Sequence, residues 1–449
     1  MRKYFGTDGI RGQANTFPMT APMAMRVAMA TALVLKQEEN GHRPRVLIGK
    51  DTRLSGYMIE QAMTAGFLAM GMDVILAGPL PTPAIAMLTR SLRADAGVMI
   101  SASHNPYQDN GIKIFSADGF KLPDQVEQEI EAWMDREDLD TQVPATDKLG
   151  KATRLEDLGG RYNEFLKSSL SKGMNFKGMK IVVDAANGAA YKIAPQIFWE
   201  LEADVVSIGV TPNGRNINDK VGATSVEALQ AKVLEEKADL GIALDGDADR
   251  LILVDETGEK IDGDQILALL GSYLSASGQL YKNTVVATVM SNLGLERFLK
   301  EKGITLLRTP VGDRYVVEEM RKEGFNLGGE QSGHMIMSDF GTTGDGLLTA
   351  LQVVSILAQN SKKPSEQLRL FNPLPQLLKN VRYTNTTPLE RQDVQEVIEQ
   401  IKADLNEKGR ILVRASGTEP VIRVMAEGDD HNLIEEVVNR ICTALEEAS

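Results

Sequence analysis

Four short stretches of the chain combine residue types at spacings that suit chemistry. In Ala96-Gly97-Val98-Met99-Ile100-Ser101-Ala102-Ser103-His104-Asn105-Pro106, an apolar run ends in a small, polar, turn-forming hexapeptide. Residues just past the carboxyl end of a strand in an α/β fold sit over the ligand crevice. Ser103, flanked by His104 and Asn105, is therefore expected as an exposed nucleophile, although a plain strand-to-loop turn uses the same residue types. In Asp245-Gly246-Asp247-Ala248-Asp249-Arg250, a curled loop would converge the alternating carboxylates on one hard divalent cation. Three carboxylates this close repel one another unless something positive neutralises them. A calcium helix-loop-helix opens with the same Asp-x-Asp-x-Asp, and Glu256 falls at its twelfth position. Arg250, however, stands where that loop needs glycine, and Leu251–Val254 reads as a strand. Magnesium fits better, because it keeps few protein ligands and completes its shell with phosphate oxygens. A phosphate on Ser103 would then join Asp245, Asp247 and Asp249.

The third stretch is Arg414-Ala415-Ser416-Gly417-Thr418-Glu419-Pro420, with Arg423 just beyond. Hydroxyls, a glycine exposing backbone N–H groups, and two guanidiniums are what a phosphate dianion needs; a polar hairpin is the plainer alternative. The fourth, Gly329-Glu330-Gln331-Ser332-Gly333-His334, offers Glu330, Ser332 and His334 to the hydroxyl or amine groups of a sugar. His104 and His334 are two of only four histidines, and both lie in these loops. His42 and His431 read as surface residues. Near the N-terminus, Gly6-Thr7-Asp8-Gly9-Ile10-Arg11-Gly12 is expected to bring Arg11 to the cleft, a plain turn being the alternative.

The elements that must position these loops repeat three times. Strand runs at Arg45–Asp51, Lys180–Asp184 and Thr284–Thr288 open the units. Helical patterns follow, such as Ile59, Met63, Phe67 and Met70 at spacings of four and three. Second strands come at Asp73–Gly78, Asp204–Gly209 and Ile304–Leu307, each with a Pro-containing loop after it. Third strands at Gly97–Ile100, Asp239–Leu244 and Phe325–Gly328 feed the serine, aspartate and sugar loops. A further strand run follows each: Gly111–Phe115, Arg250–Val254 and His334–Met337. Alternating strands and helices predict mainly parallel sheets, with the last strand antiparallel. The fold expected is α/β: three similar mixed-sheet α/β/α domains plus a smaller C-terminal α+β domain around a central cleft. The expected boundaries are 1–153, 154–259, 260–370 and 371–449. In the last segment, strands near Val381–Thr384, at Ile411–Arg414 and at Val421–Met425 accompany helices near Pro388–Glu407 and at the end, making a domain that caps the cleft.

Bulk properties bound the rest. At 449 residues the chain exceeds one core and suggests three or four domains. With 43% hydrophobic and 25% charged residues it has the composition of a globular protein. The richest apolar run, Thr20–Leu35, is interrupted by Arg26 and reads as a buried helix, so no membrane partner is expected. Met1–Gly9 holds no hydrophobic signal core. The single cysteine, Cys442, excludes an internal disulfide and fits a reducing, cytoplasmic setting; it reads as a packing residue. A net charge of −13 argues against nucleic-acid binding.

With the four loops placed, the chain resembles the α-D-phosphohexomutase family over essentially its whole length. Ser101–Pro106 resembles the family's phosphoserine loop, Asp245–Arg250 its metal loop, Gly329–His334 its sugar loop and Arg414–Pro420 its phosphate loop. Gln331, Gly417–Pro420, Gly6–Gly12 and Val311-Gly312-Asp313-Arg314-Tyr315-Val316 are similar to the branch acting on glucosamine phosphates. A small departure is Asn213, where aspartate is more usual. The resemblance implies interconversion of the 6- and 1-phosphates through phospho-Ser103 and a glucosamine 1,6-bisphosphate. That bisphosphate, or one like it, would prime the serine. One Mg2+ per site would be held by Asp245, Asp247, Asp249 and the Ser103 phosphate. Ser103, Lys113, Arg11 and His104 would be catalytic. Lys113 and Arg11 would act in acid–base chemistry or charge stabilisation, while His104 supports the loop. Glu330, Ser332, His334 and Arg250 would bind substrate, and Arg414, Ser416, Gly417, Thr418 and Arg423 its phosphate. A homodimer is implied by the resemblance alone. Rival readings are a glucose- or mannose-phosphate mutase and a non-catalytic sugar-phosphate binder. A serine hydrolase is disfavoured because Ser103 lacks a Gly-x-Ser-x-Gly elbow.

Overall fold

Continuous apolar runs set the centres of the sheets. All of Ala96–Ile100 and Leu240–Leu244, and all but the first residue of Arg45–Lys50, are buried. Strands covered by helices on both faces must read this way. The structure, a computed structural model, describes residues 3–35, 43–384, 388–415 and 420–448. Ser416, Gly417, Thr418 and His42 lie outside the described residues.

The first sheet runs Phe5–Gly6, Gly9–Gln13, Asp109–Ser116, Ala96–Ile100, Arg45–Lys50, Asp73–Pro79, Ala152–Arg154. The second runs Lys260–Ile261, Leu251–Asp255, Leu240–Leu244, Lys180–Asp184, Asp204–Ile208, and the third Thr305–Thr309, Thr284–Thr288, Leu327–Gly329, Met335–Met337. In each, the strand that feeds a chemical loop pairs parallel with the unit's first strand and antiparallel with the strand after it. The three loops thus leave from one topological position, as the repeat predicts. A three-stranded antiparallel sheet, Gln376–Arg382, Val421–Gly428, Gly409–Ala415, forms the smaller C-terminal unit with the helices Gln392–Leu405 and His431–Glu447.

The structure departs from the sequence reading in three places. A helix, Thr82–Ser91, follows what reads as a Pro/Thr loop. Its prolines precede or occupy the first turn, where a missing N–H costs nothing. The N-terminal turn is the bend of a hairpin whose second strand joins the first sheet, placing Arg11 opposite Gly111. In the C-terminal unit the first strand begins at Gln376 and ends at Arg382, because its partly exposed side chains give no apolar run. There the helix begins only at Gln392, after a 3-10 turn.

One continuous apolar core runs through the first three units, joining Leu47, Ile85 and Tyr162 to Ile181, Leu244, Ile266 and Leu347. The C-terminal unit has its own core around Val381, Ile398, Val424 and Ile441, with Cys442 packed in it. Among the described residues no helix is long and apolar enough to cross a membrane.

Candidate active site

Ser103 sits at the end of the buried strand Ala96–Ile100 with a left-handed φ of 52°, a conformation unusual for a side-chain-bearing residue. The turn aims its hydroxyl across to the second unit, where Oγ donates to Asp245 Oδ2 at 2.6 Å. The loops touch so closely that a Cβ on Gly246 would lie 2.5 Å from the Ser103 carbonyl oxygen, which only glycine avoids.

Asp245, Asp247 and Asp249 are buried, with ligand atoms all within 4.8 Å of one another. Ala248, at φ 58°, curls the loop so that the alternating carboxylates face inward. Asp247 Oδ2 accepts from Thr82 Oγ1 at 2.6 Å and from Lys113 Nζ at 2.8 Å. Lys113 Nζ also lies 3.2 Å from Asp249 Oδ2 and 3.2 Å from Asp8 Oδ2. Burial, reinforced by the charges of Asp249 and Asp247, pushes the Asp245 carboxyl up. Burial acts on Asp249 the same way, but Lys113, His334 and Arg250 together outweigh it and hold Asp249 well below the usual carboxylate range.

Lys113 is fully enclosed. Burial would lower its pKa, yet Asp247, Asp8 and Asp249 raise it well above the ordinary lysine value. With these carboxylates around it, Lys113 is held as a cation. Arg11 pairs with Asp8 and is likewise held as a cation. Asp8 in turn pairs with Lys121, whose Nζ lies 2.5 Å from Asp313 Oδ2 in the third unit. His104 Nδ1 stands 3.5 Å from Ser103 Oγ. Burial and the nearby Arg250 and Arg11 lower the His104 pKa to about 4, so the ring is neutral at pH 7.

In the sugar loop, Glu330 accepts from Gly312 N at 3.2 Å and from Ser332 Oγ at 3.3 Å. His334 is nearly buried, with ring nitrogens 3.6 Å from Asp249 Oδ1 and 3.4 Å from Asp313 Oδ2. Burial would lower its pKa, but Asp249 and then Asp313 push it up to about 9. The His334 ring thus stands beside two carboxylates while still lining the cleft. A Cβ on Gly344 would lie 2.3 Å from that ring, so the glycine makes room for it. Two adjoining cavities of about 590 and 620 Å³ share Arg250, Val311 and Glu330. Ser332 lines the first, and Ser103, Arg11, Asp249 and His334 line the second. Hollows of about 700 and 850 Å³ elsewhere hold none of these groups.

Arg414 and Arg423 face each other across paired strands of the C-terminal sheet. Neither lines the two cavities. Burial and the Arg423 charge lower the Arg414 pKa. Arg410, on the same strand, docks this unit by donating to the carbonyls of Val289 and Ser291, both at 2.8 Å. Glu256 accepts from Ser365 and does not join the aspartate cluster, so the calcium-loop reading has no twelfth ligand.

Family models described as phosphoglucomutase/phosphomannomutase match four successive segments: α/β/α domain I at residues 2–141, domain II at 160–258, domain III at 262–374 and the C-terminal domain at 378–444. The chain belongs to this family. A relative from Azorhizobium caulinodans named phosphoglucosamine mutase is 58% identical over 444 residues, covering 99% of this chain and 98% of the relative. Another of that name, from Rhodospirillum centenum, is 59% identical over 456 residues, covering 100% and 96%. A solved family protein from Burkholderia thailandensis superposes with a TM-score of 0.80 at 24% identity, covering 100% of this chain and 98% of that one. The N-acetylphosphoglucosamine mutase of Aspergillus fumigatus, solved with GlcNAc-6P and magnesium, gives 0.69 at 18% identity over 100% and 96%. Both share the fold.

The aspartate loop of this mutase-family chain fits a hard divalent cation. Asp247 Oδ1 is buried with no hydrogen-bond partner and Asp249 Oδ1 has only the His334 ring 3.6 Å away, while their second oxygens are taken by Lys113. Buried carboxylate oxygens left over in this way are what such an ion satisfies. Sequence reasoning missed Thr82, Asp8, Lys121, Asp313, Asp51, Arg53 and Asn218. Asp8 and Asp313 lie inside stretches singled out for other reasons. Asp51 and Arg53 follow a strand's carboxyl end, the position that drew attention to Ser103. Thr82, Lys121 and Asn218 carry no comparable local signal.

Proposed function

We propose that the chain interconverts glucosamine 6-phosphate and glucosamine 1-phosphate, a step towards UDP-N-acetylglucosamine in the cytoplasm. The observation that carries this reading is Ser103 Oγ bonded to a buried aspartate triad in a chain 58% identical, end to end, to phosphoglucosamine mutases.

Phospho-Ser103 gives its phosphoryl group to the sugar 1-hydroxyl: the Oγ–P bond breaks, the new P–O bond forms, and the proton lost by the sugar hydroxyl is balanced by the one that Ser103 Oγ takes up as it is freed as a hydroxyl. The resulting glucosamine 1,6-bisphosphate turns over in the cleft and returns its 6-phosphoryl to Ser103, leaving the 1-phosphate. A bisphosphate of this kind also primes the enzyme. Such transfer depends on positioning and charge stabilisation. Asp245, Asp247, Asp249 and the Ser103 phosphate would hold one Mg2+, which supplies charge to the transferring oxygens. Lys113 and Arg11 add fixed positive charge, and His104 supports the loop. Glu330, Ser332, His334 and Arg250 meet the sugar. Arg414 and Arg423, with Ser416, Gly417 and Thr418, hold the phosphate that is not reacting, because guanidinium forks accept either orientation. The C-terminal unit, with a core of its own, closes on the shared core of the other three and excludes water. Divisions near 153, 259 and 370 and a homodimer belong to the same reading.

Phosphorus NMR of glucosamine 6-phosphate with the protein, Mg2+ and trace bisphosphate tests it. A growing 1-phosphate resonance is expected, and an unchanged spectrum contradicts the reading.

A further inference from the structure

We propose that Arg53 and Asn218 form a two-sided clamp on the serine loop, and that Arg53 is the positioning residue that fixes Ser103 Oγ for transfer. The proposal rests on the mutase reading above.

Arg53 is completely buried, yet its guanidinium touches neither the cleft nor any aspartate of the triad. Nε donates to Asp51 Oδ2 at 2.7 Å. Nη1 donates to the Asp109 carbonyl at 3.0 Å and to the Pro106 carbonyl, and Nη2 to the Ser103 and Asn105 carbonyls at 3.0 and 2.8 Å. A guanidinium has five N–H donors, and here each meets one acceptor. A lysine, with three donors and no planar fork, cannot reproduce this.

The same pair reaches the other side of Ser103. Asp51 Oδ2 accepts from Ser101 Oγ at 2.6 Å, and Ser101 Oγ accepts from the Ser103 backbone N–H at 2.9 Å. Both peptide groups of Ser103 are therefore tied, through one buried ion pair, in the left-handed conformation that turns Oγ towards Asp245. Asn218, from the second unit, closes the clamp: Nδ2 donates to the carbonyls of Ser103 and Asn105 at 2.9 and 3.0 Å. The loop is thus held by the unit that carries it and by the unit that carries its aspartates. Its geometry is set before any sugar arrives, and a nucleophile displaced by about 1 Å loses on the order of 10²-fold in rate.

Arg53→Lys and Asn218→Ala test the clamp in the full-length protein. Three readouts are compared with wild type: steady-state turnover of glucosamine 6-phosphate, thermal midpoint, and the rate at which Ser103 takes phosphate from glucose 1,6-bisphosphate, followed by intact mass. Arg53→Lys is expected to lower kcat on the order of 10²-fold and Asn218→Ala about 10-fold, with KM changed less than about 3-fold. Serine phosphorylation should slow in parallel. If Arg53→Lys does not fold, Asn218→Ala decides alone. Folded variants with wild-type kcat and phosphorylation rate, or with raised KM at unchanged kcat, overturn the clamp. The phosphorylation readout needs no mutase turnover. A wild type that loads Ser103 but leaves glucosamine 6-phosphate unchanged refutes the substrate reading only. A wild type that never loads it refutes both.

Discussion

Ser103 Oγ lies 2.6 Å from Asp245 Oδ2, bonded across the junction of the first and second sheets. Neither residue's own unit could build this contact. It exists because two similar units present the same loop position to each other over one continuous core. A serine so placed has little role in binding alone, since its hydroxyl is spent on a carboxylate.

Removing the hydroxyl separates carrier from scaffold. Ser103→Ala is expected to lower kcat by about 10³-fold or more, with a thermal midpoint near that of wild type. Steady-state kinetics and calorimetry check this; retained activity would remove Ser103 from the reaction.

The aspartate loop predicts dependence on a divalent ion. Chelation should abolish turnover, and Mg2+ should restore it. Asp247→Asn removes one carboxylate oxygen from the cluster and weakens the bonds to Lys113 and Thr82. It should raise the Mg2+ concentration for half-activation by about 10- to 100-fold. A Mg2+ titration of both proteins measures this, and superimposable curves would contradict the assignment.

Arg414 and Arg423 are directly opposed like charges, an arrangement that costs a sheet about 0.2–1 kcal/mol. A phosphate dianion between them reverses that sign. Arg414→Ala should raise KM by about 10- to 100-fold, from about 1.5–3 kcal/mol for a charge-assisted hydrogen bond, while leaving thermal stability unchanged or slightly higher. Opposite signs in binding and stability distinguish a phosphate site from a structural pair.

His104 predicts a pH effect. Its pKa is lowered to about 4 by burial and by Arg250 and Arg11, against 6.5 for an unperturbed histidine. The unfolded chain therefore takes up the proton first as pH falls. The stability that the neutral ring contributes is full above pH 6.5 and is lost progressively towards pH 4. Thermal midpoints over that window should fall less steeply for His104→Gln than for wild type. A phosphoryl group on Ser103, beside His104 Nδ1, should raise the ring's pKa in histidine NMR titrations.

Much of this site was legible in the chain. The three loops after equivalent strands follow from periodicity alone, and Ser103, Asp245, Asp247 and Asp249 are drawn together as the repeat requires. The illegible parts share a physical cause. Thr82, Lys121 and Asn218 act through contacts over more than a hundred residues of sequence separation, which no local pattern records. Lys113 was recognised, but the enclosure that holds its charge depends on three carboxylates from two other segments. Gln376–Arg382 was misplaced because a partly exposed edge strand lacks the apolar run that marks central ones.

The central claim, a mutase acting on the amino sugar, is tested most directly by steady-state turnover of glucosamine, glucose and mannose 6-phosphates with Mg2+ and trace sugar bisphosphate. A strong kcat/KM preference for glucosamine 6-phosphate is predicted. Equal or better use of glucose or mannose 6-phosphate would contradict the assigned substrate, and no turnover of any of the three would contradict the mutase.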